Sequence, residues 1–189
     1  MIIPDICREG RWLRTIGTGK DRKVTRAGAY YAEMKRRCNP SLQVGKYKSY
    51  IGCSSSFKDF QDFAEWAVAQ KGYGGHLDKD IICKGNKIYS KEFCSFVPSE
   101  LNNILTKCES SRGKQIIGIS LDLLRGYKVT LNHGDKKKHL GYFTNELDAF
   151  FSYKKHKEAF IKKQANKWKS SISLKTYEAL MNYQVEITD

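Results

Sequence analysis

The chain has 189 residues, of which 40% are hydrophobic and 12% aromatic, so it can bury a core and is not a disordered chain. Its 34 Lys and Arg residues outnumber its 20 Asp and Glu residues, and the resulting net charge of +14 is spread along the sequence. This balance favours a polyanionic partner, for which nucleic acid is a common choice, over a basic protein that its charge merely keeps in solution. We find no apolar run of the roughly 20 residues that a membrane span requires, and no signal-peptide core, so we expect an intracellular, cytoplasmic protein with no membrane partner.

The six cysteines are expected to be reduced, because nothing in the sequence indicates export. They form no CxxC pair and lie beside no histidine, so we expect no structural zinc. We assign Cys83, Cys94 and Cys108 to the core as small apolar residues.

Residues 1–28 alternate glycines with basic side chains and show little periodicity, so we predict a flexible basic N-terminal arm. Its candidate DNA contacts are Arg11, Arg14, Arg22 and Lys23. Trp12 would either stack in a DNA groove or anchor the arm to the core. We favour the anchor, because tryptophan is buried on average.

Two helices are predicted after this arm. The first covers Ala29–Cys38 and ends before the Asn39–Pro40 pair. The second begins with Ser56 as its N-cap and carries an aromatic stripe that we assign to the core. A short strand near Tyr50–Cys53 is predicted between them.

The segment His76–Asn103 predicts a strand, a turn at Gly85–Asn86, a second strand from Lys87, and a helix with Ser99 as N-cap. Its first strand carries an acid–base–acid cluster over residues 78–80. The order strand, turn, strand, helix is typical of compact pockets that perform phosphodiester chemistry.

Two hard oxygen ligands come from this segment, the carboxylate of Asp78 on the first strand and the amide of Asn102 in the helix. Such a pair would hold one Mg²⁺ or Mn²⁺ ion that bridges a scissile phosphate. The alternatives are a structural salt bridge from Asp78 to Lys79, Lys84 or Lys87, and a capping role for Asn102. Asp80 would be a further ligand or support Asp78, and His76 is either a general base or a turn histidine.

Beyond a predicted linker at 109–114, three short strands at 116–121, 126–132 and 138–143 are joined by tight turns. A helix capped by Thr144 or Asn145 follows, and its buried face is predicted to contact the sheet while its lysines face water. A last short helix is predicted at about 174–182.

The middle strand of this sheet alternates two kinds of side chain. Tyr127, Val129 and Leu131 are predicted to pack on the helix, which turns the intervening polar side chains toward DNA. The candidate base and groove contacts are Arg125, Lys128, Thr130 and Asn132, and the candidate phosphate contacts are Lys136, Lys137 and Lys138. The alternative is a polar face that only contacts water.

Several motifs resemble known families when taken in order. YYAEMKRRC, LDKD, GNKIYS, C-x-FVP and LN resemble the HNH-type endonuclease-like proteins of phages. GISL, GYKVTL, HLGYF and DAFFSYKKHK resemble the Apetala-type DNA-binding domain, a three-stranded sheet backed by a helix. The resemblance covers Tyr30–Trp168 and implies an HNH-like ββα-metal nuclease region at 29–109, a DNA-binding domain at 110–170 and a C-terminal helix and tail at 171–189. It also implies a phage-infected bacterial host.

The resemblance places the metal ligands at Asp78 and Asn102, and it places Lys79 where HNH enzymes carry the histidine that activates water. Because a protonated lysine is a poor base, Lys79 would instead stabilise charge on the phosphate. The base would then be His76, Tyr89 or a metal-bound hydroxide. The second asparagine of the motif falls near Phe93 or Cys94, and neither residue can replace it.

These observations predict an α+β protein with a ββα-metal, HNH-like core, flanking helices, and a small three-stranded antiparallel sheet backed by a helix. The leading hypothesis is a metal-dependent endonuclease of phage or homing type that acts on double-stranded DNA. We expect it to be of the nicking kind, because one core cuts one strand per engagement unless the protein dimerises. The alternative is a catalytically inactive DNA-binding protein, or an inhibitor or regulator that binds DNA or a host protein. The sequence leaves the oligomeric state open.

Overall fold

The computed structural model describes residues 1–106, 115–133 and 136–189. They form two compact units, Met1–Val97 with Ser171–Thr176, and Pro98–Ser170 with Tyr177–Asp189. Each unit combines helices with short strands, which confirms the α+β class. Cys108 and the predicted linker at 109–114 lie outside the described residues. Within these ranges, no helix has both the length and the apolar character needed to cross a membrane.

The N-terminal segment is folded rather than the flexible arm that we predicted. It contains β1 (Ile2–Ile3), β2 (Cys7–Arg8), β3 (Arg11–Trp12), β4 (Thr15–Ile16) and β5 (Lys23–Thr25). β5 pairs in parallel with β1 and antiparallel with β4, while β2 and β3 form a separate hairpin. Strands of two or three residues are too short to show periodicity, so the sequence pattern could not reveal them.

The side chain of Gln61 fixes the β2–β3 hairpin to the rest of the first unit. Its Oε1 accepts from the Trp12 backbone N–H at 2.8 Å, and its Nε2 donates to the Trp12 carbonyl at 2.9 Å. The Trp12 side chain itself is half-buried. This arrangement agrees with an anchoring role for Trp12.

Helix α1 (Arg26–Arg37) begins where β5 ends, because Thr25 is its N-cap. The Thr25 hydroxyl accepts from the Gly28 N–H at 3.1 Å and donates to the Leu13 carbonyl at 2.8 Å. Asp5 adds a second cap, since its Oδ1 accepts from the Ala27 N–H at 2.6 Å. Both contacts join the N-terminal strands to the first turn of α1.

Helix α2 (Phe60–Val68) starts later than predicted, because Asp59 rather than Ser56 is its N-cap. The Asp59 carboxylate accepts from the Asp62 N–H at 3.0 Å. In place of the predicted strand near Tyr50–Cys53, the chain forms a 3₁₀ helix at Gly45–Tyr50 and β6 at Ser54–Ser55. The core of this unit is aromatic, as the stripe predicted, and contains Met34, Cys53, Phe57, Phe63, Ala67, Leu77, Tyr89, Cys94 and Phe96.

The two strands on either side of the predicted Gly85–Asn86 turn do not pair with each other. β7 (His76–Asp78) pairs antiparallel with β9 (Ser95–Val97), whereas β8 (Ile88–Tyr89) pairs in parallel with β6. Helix α3 (Ser99–Leu105) follows β9 and belongs to the second unit. Its N-cap residue is Pro98, so Ser99 is the first helical residue and not the cap that we predicted.

The second unit contains the predicted three-stranded antiparallel sheet. Its strands are β10 (Ile119–Asp122), β11 (Gly126–His133) and β12 (Lys136–Phe143), with β11 in the centre. Helix α4 (Glu146–Lys167) packs on one face of this sheet, and a short helix α5 (Leu174–Met181) follows in the chain. The shared core contains Ile119, Val129, Leu131, Ala149, Phe150, Tyr153, Phe160 and Val185.

Asn145 caps α4, as one of the two predicted alternatives, by accepting from the Leu147 N–H at 2.7 Å. The buried face of α4 is confirmed, but one of its lysines does not face water. Lys157 is 8% exposed and its Nζ donates to the Ile104 carbonyl at 2.5 Å. It thereby satisfies a carbonyl in the last turn of α3, where a cation is favourable.

Strand β12 contains one extra residue relative to β11. Val129 pairs with Gly141 and Thr130 pairs with His139, so Leu140 is left between the two pairs as a β-bulge. Gly141 has a φ of +138°, a backbone conformation that L side chains rarely adopt. The bulge therefore depends on a glycine at this position.

We predict that Gly28→Ala destabilises the protein, although alanine in a helix is normally better than glycine by about 1 kcal/mol. A Cβ at Gly28 would lie 2.3 Å from the Arg14 carbonyl oxygen. Displacing that backbone costs about 1–3 kcal/mol, so after the gain of about 1 kcal/mol we expect a net loss of up to about 2 kcal/mol in urea denaturation.

The matched control is Gly85→Ala, where the φ is +79° and nothing lies within 4 Å of the added Cβ. It should lose about 1 kcal/mol through backbone strain alone. A Gly28→Ala protein that is more stable than wild type would show that the N-terminal strands do not sit against α1.

Candidate functional site

The sheet of the second unit has a polar face on the side opposite α4, which we call the outer face. Residues directly opposite each other in neighbouring strands point to the same side. The pairs Ser120–Lys128, Lys128–Tyr142, Thr130–His139 and Asn132–Lys137 therefore share this face. The predicted alternation on β11 is confirmed, because Val129 and Leu131 are buried in the core while Asn132 is exposed.

Tyr142 forms the centre of a stack on the outer face. The Arg125 guanidinium lies 5.4 Å from its ring centroid, and the His139 ring lies 4.9 Å away at an interplanar angle of 61°. Such cation–aromatic contacts contribute about 0.5–1 kcal/mol at exposed sites. The stack holds a guanidinium and an imidazole next to Lys128, which pairs with Tyr142 across the strands.

The charge of the outer face is positive. Arg125, Lys128 and Lys137 contribute cations, and Asp122 is the one carboxylate among the described residues of this face. Its Oδ1 already accepts from the backbone N–H groups of Leu124 and Arg125, at 3.0 and 3.1 Å. Its charge is thus partly used to fix a turn, which leaves a polar, cationic surface.

The three predicted phosphate contacts do not share one face. Lys137 pairs with Asn132 on the outer face, whereas Lys138 pairs with Leu131 and Lys136 with His133 on the alternate side. All three lysines are exposed. Alternation along the strand causes this division, and the bulge at Leu140 decides which lysine joins the outer face, because an unbulged strand would place Lys138 opposite Asn132.

Sequence reasoning missed Tyr142 as a member of this face. A glycine inside a strand pattern is a signal of a bulge, and Gly141 in HLGYF provides that signal. The predicted N-terminal contacts Arg11, Arg14, Arg22 and Lys23 are all exposed and belong to the first unit.

The second candidate site, which we call the Asp78 cluster, consists of Asp78, Lys79, Asp80 and Asn86 in the first unit. Asp78 ends β7, and its Oδ1 accepts from the backbone N–H groups of Asp80 and Ile81 at 2.7 and 2.8 Å. Burial raises the pKa of Asp78, the two backbone bonds oppose this shift, and the neighbouring Asp80 adds to it. The carboxylate is therefore held in a fixed turn at an electrostatic cost.

Lys79 has a structural position in this cluster. Its side chain is buried, with 5% of the residue exposed. Its Nζ donates to the Asp80 carboxylate, and it also donates to the Asn86 carbonyl at 2.9 Å. Asn86 returns the contact, since its Nδ2 donates to the Lys79 carbonyl at 2.8 Å. The ammonium group thus closes the loop between β7 and β8, and it faces protein atoms rather than a phosphate in this conformation.

The two predicted candidates for the base lie in opposite environments. His76 is exposed at the start of β7. Tyr89 is 1% exposed in the core, and its hydroxyl oxygen accepts from Arg37 Nη1 at 3.3 Å. Burial raises the pKa of the Tyr89 phenol, so in this structure it is a packing group that holds its proton.

The two predicted metal ligands belong to different units. Asp78 belongs to the first unit and Asn102 to the second. Across residues 1–106, 115–133 and 136–189, no group of three or more His, Cys, Asp and Glu side chains is placed to hold a metal ion.

The cysteines divide between core and surface. Cys94 is 4% exposed, and burial raises the pKa of its thiol to about 12, as expected of the core residue that we predicted. Cys83 is exposed, so its assignment to the core was wrong. It lies in the polar loop between β7 and β8, where the apolar pattern is too short to fix a face.

No protein-family model, no curated protein and no solved structure matches the chain. What the protein does is therefore inferred from the chemistry of the outer face and of the Asp78 cluster.

We predict that Asp78→Asn stabilises the protein at pH 7. The asparagine amide keeps an oxygen that accepts from the two backbone N–H groups. It also removes the carboxyl group, whose pKa is raised by burial. Wild type regains stability as the pH falls through the folded-state pKa, because the carboxyl then becomes neutral. The difference between the two proteins should thus be largest at neutral pH and shrink in acid.

Urea denaturation of both proteins across this pH range measures the effect. Asp78→Ala is the control, because it removes the charge and the acceptor together and should be about 1–2 kcal/mol less stable than Asp78→Asn. An Asp78→Asn protein that is less stable than wild type at pH 7 would contradict the cost assigned to the buried carboxylate.

Proposed function

We propose that this protein binds double-stranded DNA through the outer face and reads base sequence there. The observation that carries the proposal is the stack of Arg125, Tyr142 and His139 beside Lys128 and Asn132 on one side of a thin sheet. The net charge of +14 favours a polyanion as the partner of this surface.

The outer face carries the side chains that direct readout uses. Arg and Lys donate to the O6 and N7 acceptors of guanine, and Asn pairs with the N6 and N7 groups of adenine. Lys128 and Asn132 are suited to these roles because both lie on the outer face of β11, and Arg125 is suited because its guanidinium lies over Tyr142 of the same face. Sheets are known to enter DNA grooves in this way.

Lys137 is suited to a phosphate rather than a base, because it lies near the start of β12, at the end of the sheet away from the loop between β10 and β11. A phosphate contact adds affinity and salt dependence but no sequence preference. The exposed cations of the first unit, among them Arg11 and Arg22, would add further contacts of this kind.

The resemblance to phage HNH-type proteins with an Apetala-type domain is consistent with a DNA partner. We propose that the chain keeps the β–β–α order of such a nuclease, with β7, β9 and α3, as part of a DNA-binding protein. The burial of Lys79 and Tyr89 favours this non-catalytic function, since neither is presented to a substrate. A host protein as partner is the other form of this proposal.

A metal-dependent DNA endonuclease is the second candidate, and one observation favours it. Burial and Asp80 raise the pKa of Asp78, and a bound Mg²⁺ or Mn²⁺ would relieve that cost. His76, which is exposed nearby on β7, would be the accessible base. This candidate comes second because Lys79, which the resemblance places at the position of the HNH histidine, is buried.

We predict that Lys137→Ala weakens duplex binding more than Lys138→Ala does. The two variants remove the same charge from adjacent residues of β12 that face opposite sides. Loss of one phosphate contact should reduce the slope of log K against log salt by about 0.9 for Lys137→Ala only. Fluorescence anisotropy with a labelled 30-base-pair duplex across salt concentrations measures both. Equal changes in the two variants would contradict the proposed binding face.

We further predict that supercoiled plasmid stays intact when it is incubated with the protein and Mg²⁺, Mn²⁺ or EDTA, while the protein remains bound. Asp78→Ala should bind the plasmid as wild type does. Relaxation that requires Mg²⁺ or Mn²⁺ and disappears in Asp78→Ala would instead establish the endonuclease. Gel mobility and gel shift on the same samples separate cleavage from binding.

A further inference from the structure

The loop between β10 and β11, residues 123–125, exposes two leucines. We call it the leucine loop. Leu123 is 92% exposed and Leu124 is 95% exposed. Asp122 pairs with Gly126 at the ends of the strands, so the loop has three residues, of which Arg125 is the third. Adjacent leucines with nearly complete exposure are unusual in a tight turn, where polar residues predominate.

The loop is held in one conformation from both ends. The Asp122 carboxylate accepts from the Leu124 and Arg125 backbone N–H groups at 3.0 and 3.1 Å. Gly126 has a φ of +86°, and a Cβ there would lie 2.5 Å from the Phe143 carbonyl oxygen. These contacts constrain the loop backbone in a conformation that leaves both leucine side chains in solvent.

The leucine loop adjoins the outer face. Arg125, which follows Leu124 directly, places its guanidinium over the Tyr142 ring at 5.4 Å, and Tyr142 pairs with Lys128. A partner that contacts this stack therefore meets the leucines as well.

The charge around the loop argues for DNA rather than protein as that partner. Arg125 and Lys128 place two cations beside the two leucines, and Lys137 extends the positive charge along the sheet. A stable protein interface instead needs about 800 Å² on each partner with an apolar centre. In the major groove, the apolar group on a base edge is the C5-methyl of thymine.

We infer that Leu123 and Leu124 contact thymine methyl groups in the major groove of the bound duplex. The inference rests on the proposed function and adds a base preference to it. Lys128 and Asn132 would recognise guanine and adenine by hydrogen bonds, while the leucine loop recognises thymine by apolar contact. The bound site should then contain thymine at one edge, at the positions that face the loop.

The experiment starts from a pool of random 30-base-pair duplexes that is selected for binding to the full chain. The enriched duplex is then resynthesised with each thymine replaced in turn by uracil, which differs only by the missing methyl. We expect about a fourfold loss of affinity at one or two thymines, which corresponds to the burial of one methyl group. The double variant Leu123→Ser with Leu124→Ser should bind thymine and uracil duplexes equally.

Leu147→Ser is the matched control, because Leu147 is an exposed leucine of α4 and not of the loop. It should keep the wild-type loss on uracil replacement. Pools that yield no bound DNA would refute the proposed function and the inference together. A bound, enriched duplex that is insensitive to uracil at every position would refute the inference alone. A third outcome would also refute the inference alone. In it, the free wild-type protein sediments as a dimer, and the double variant sediments as a monomer that still binds DNA.

Discussion

The one-residue bulge in β12 is the constraint on which the candidate DNA-binding surface depends. It lets Leu140 contact the core while Lys137 and His139 share a face with Thr130 and Asn132. Side chains alternate along a strand, so without the bulge every side chain of β12 before Leu140 would point to the opposite face of the sheet. Gly141, with its φ of +138°, makes this arrangement possible. A single glycine therefore determines which of three consecutive lysines joins the outer face.

Not every cation in this basic chain is available to a polyanion. Lys79 closes the loop after β7, and Lys157 donates to a carbonyl in the last turn of α3. A buried ammonium is tolerated only when its hydrogen bonds are satisfied, and both lysines have such partners. Lys79 is consequently a part of the fold, which favours binding over catalysis in the proposal.

Long periodic elements could be predicted from the sequence. The burial of Phe150, Tyr153 and Phe160 on α4 follows from helical spacing, and the alternation on β11 follows from strand spacing. Long-range pairing was harder, because β6 and β8 have two residues each and are separated by more than 30 positions. The Asp59 cap also escaped prediction, because several polar residues before α2 were equally suitable. The contact of His139 with Tyr142 depends on the bulge, and the contact of Arg125 with Tyr142 depends on the loop between β10 and β11. Neither feature has a repeating sequence pattern.

Lysine acetylation of the full chain, with and without duplex DNA, tests the central claim most directly. The reagent labels exposed amines, and mass spectrometry resolves each lysine separately. Bound DNA should protect Lys128 and Lys137 and leave Lys138 and the exposed α4 lysines, Lys155, Lys162 and Lys163, as reactive as before. Protection of the α4 lysines together with unchanged labelling of Lys128 and Lys137 would contradict the account, because DNA would then bind a different face.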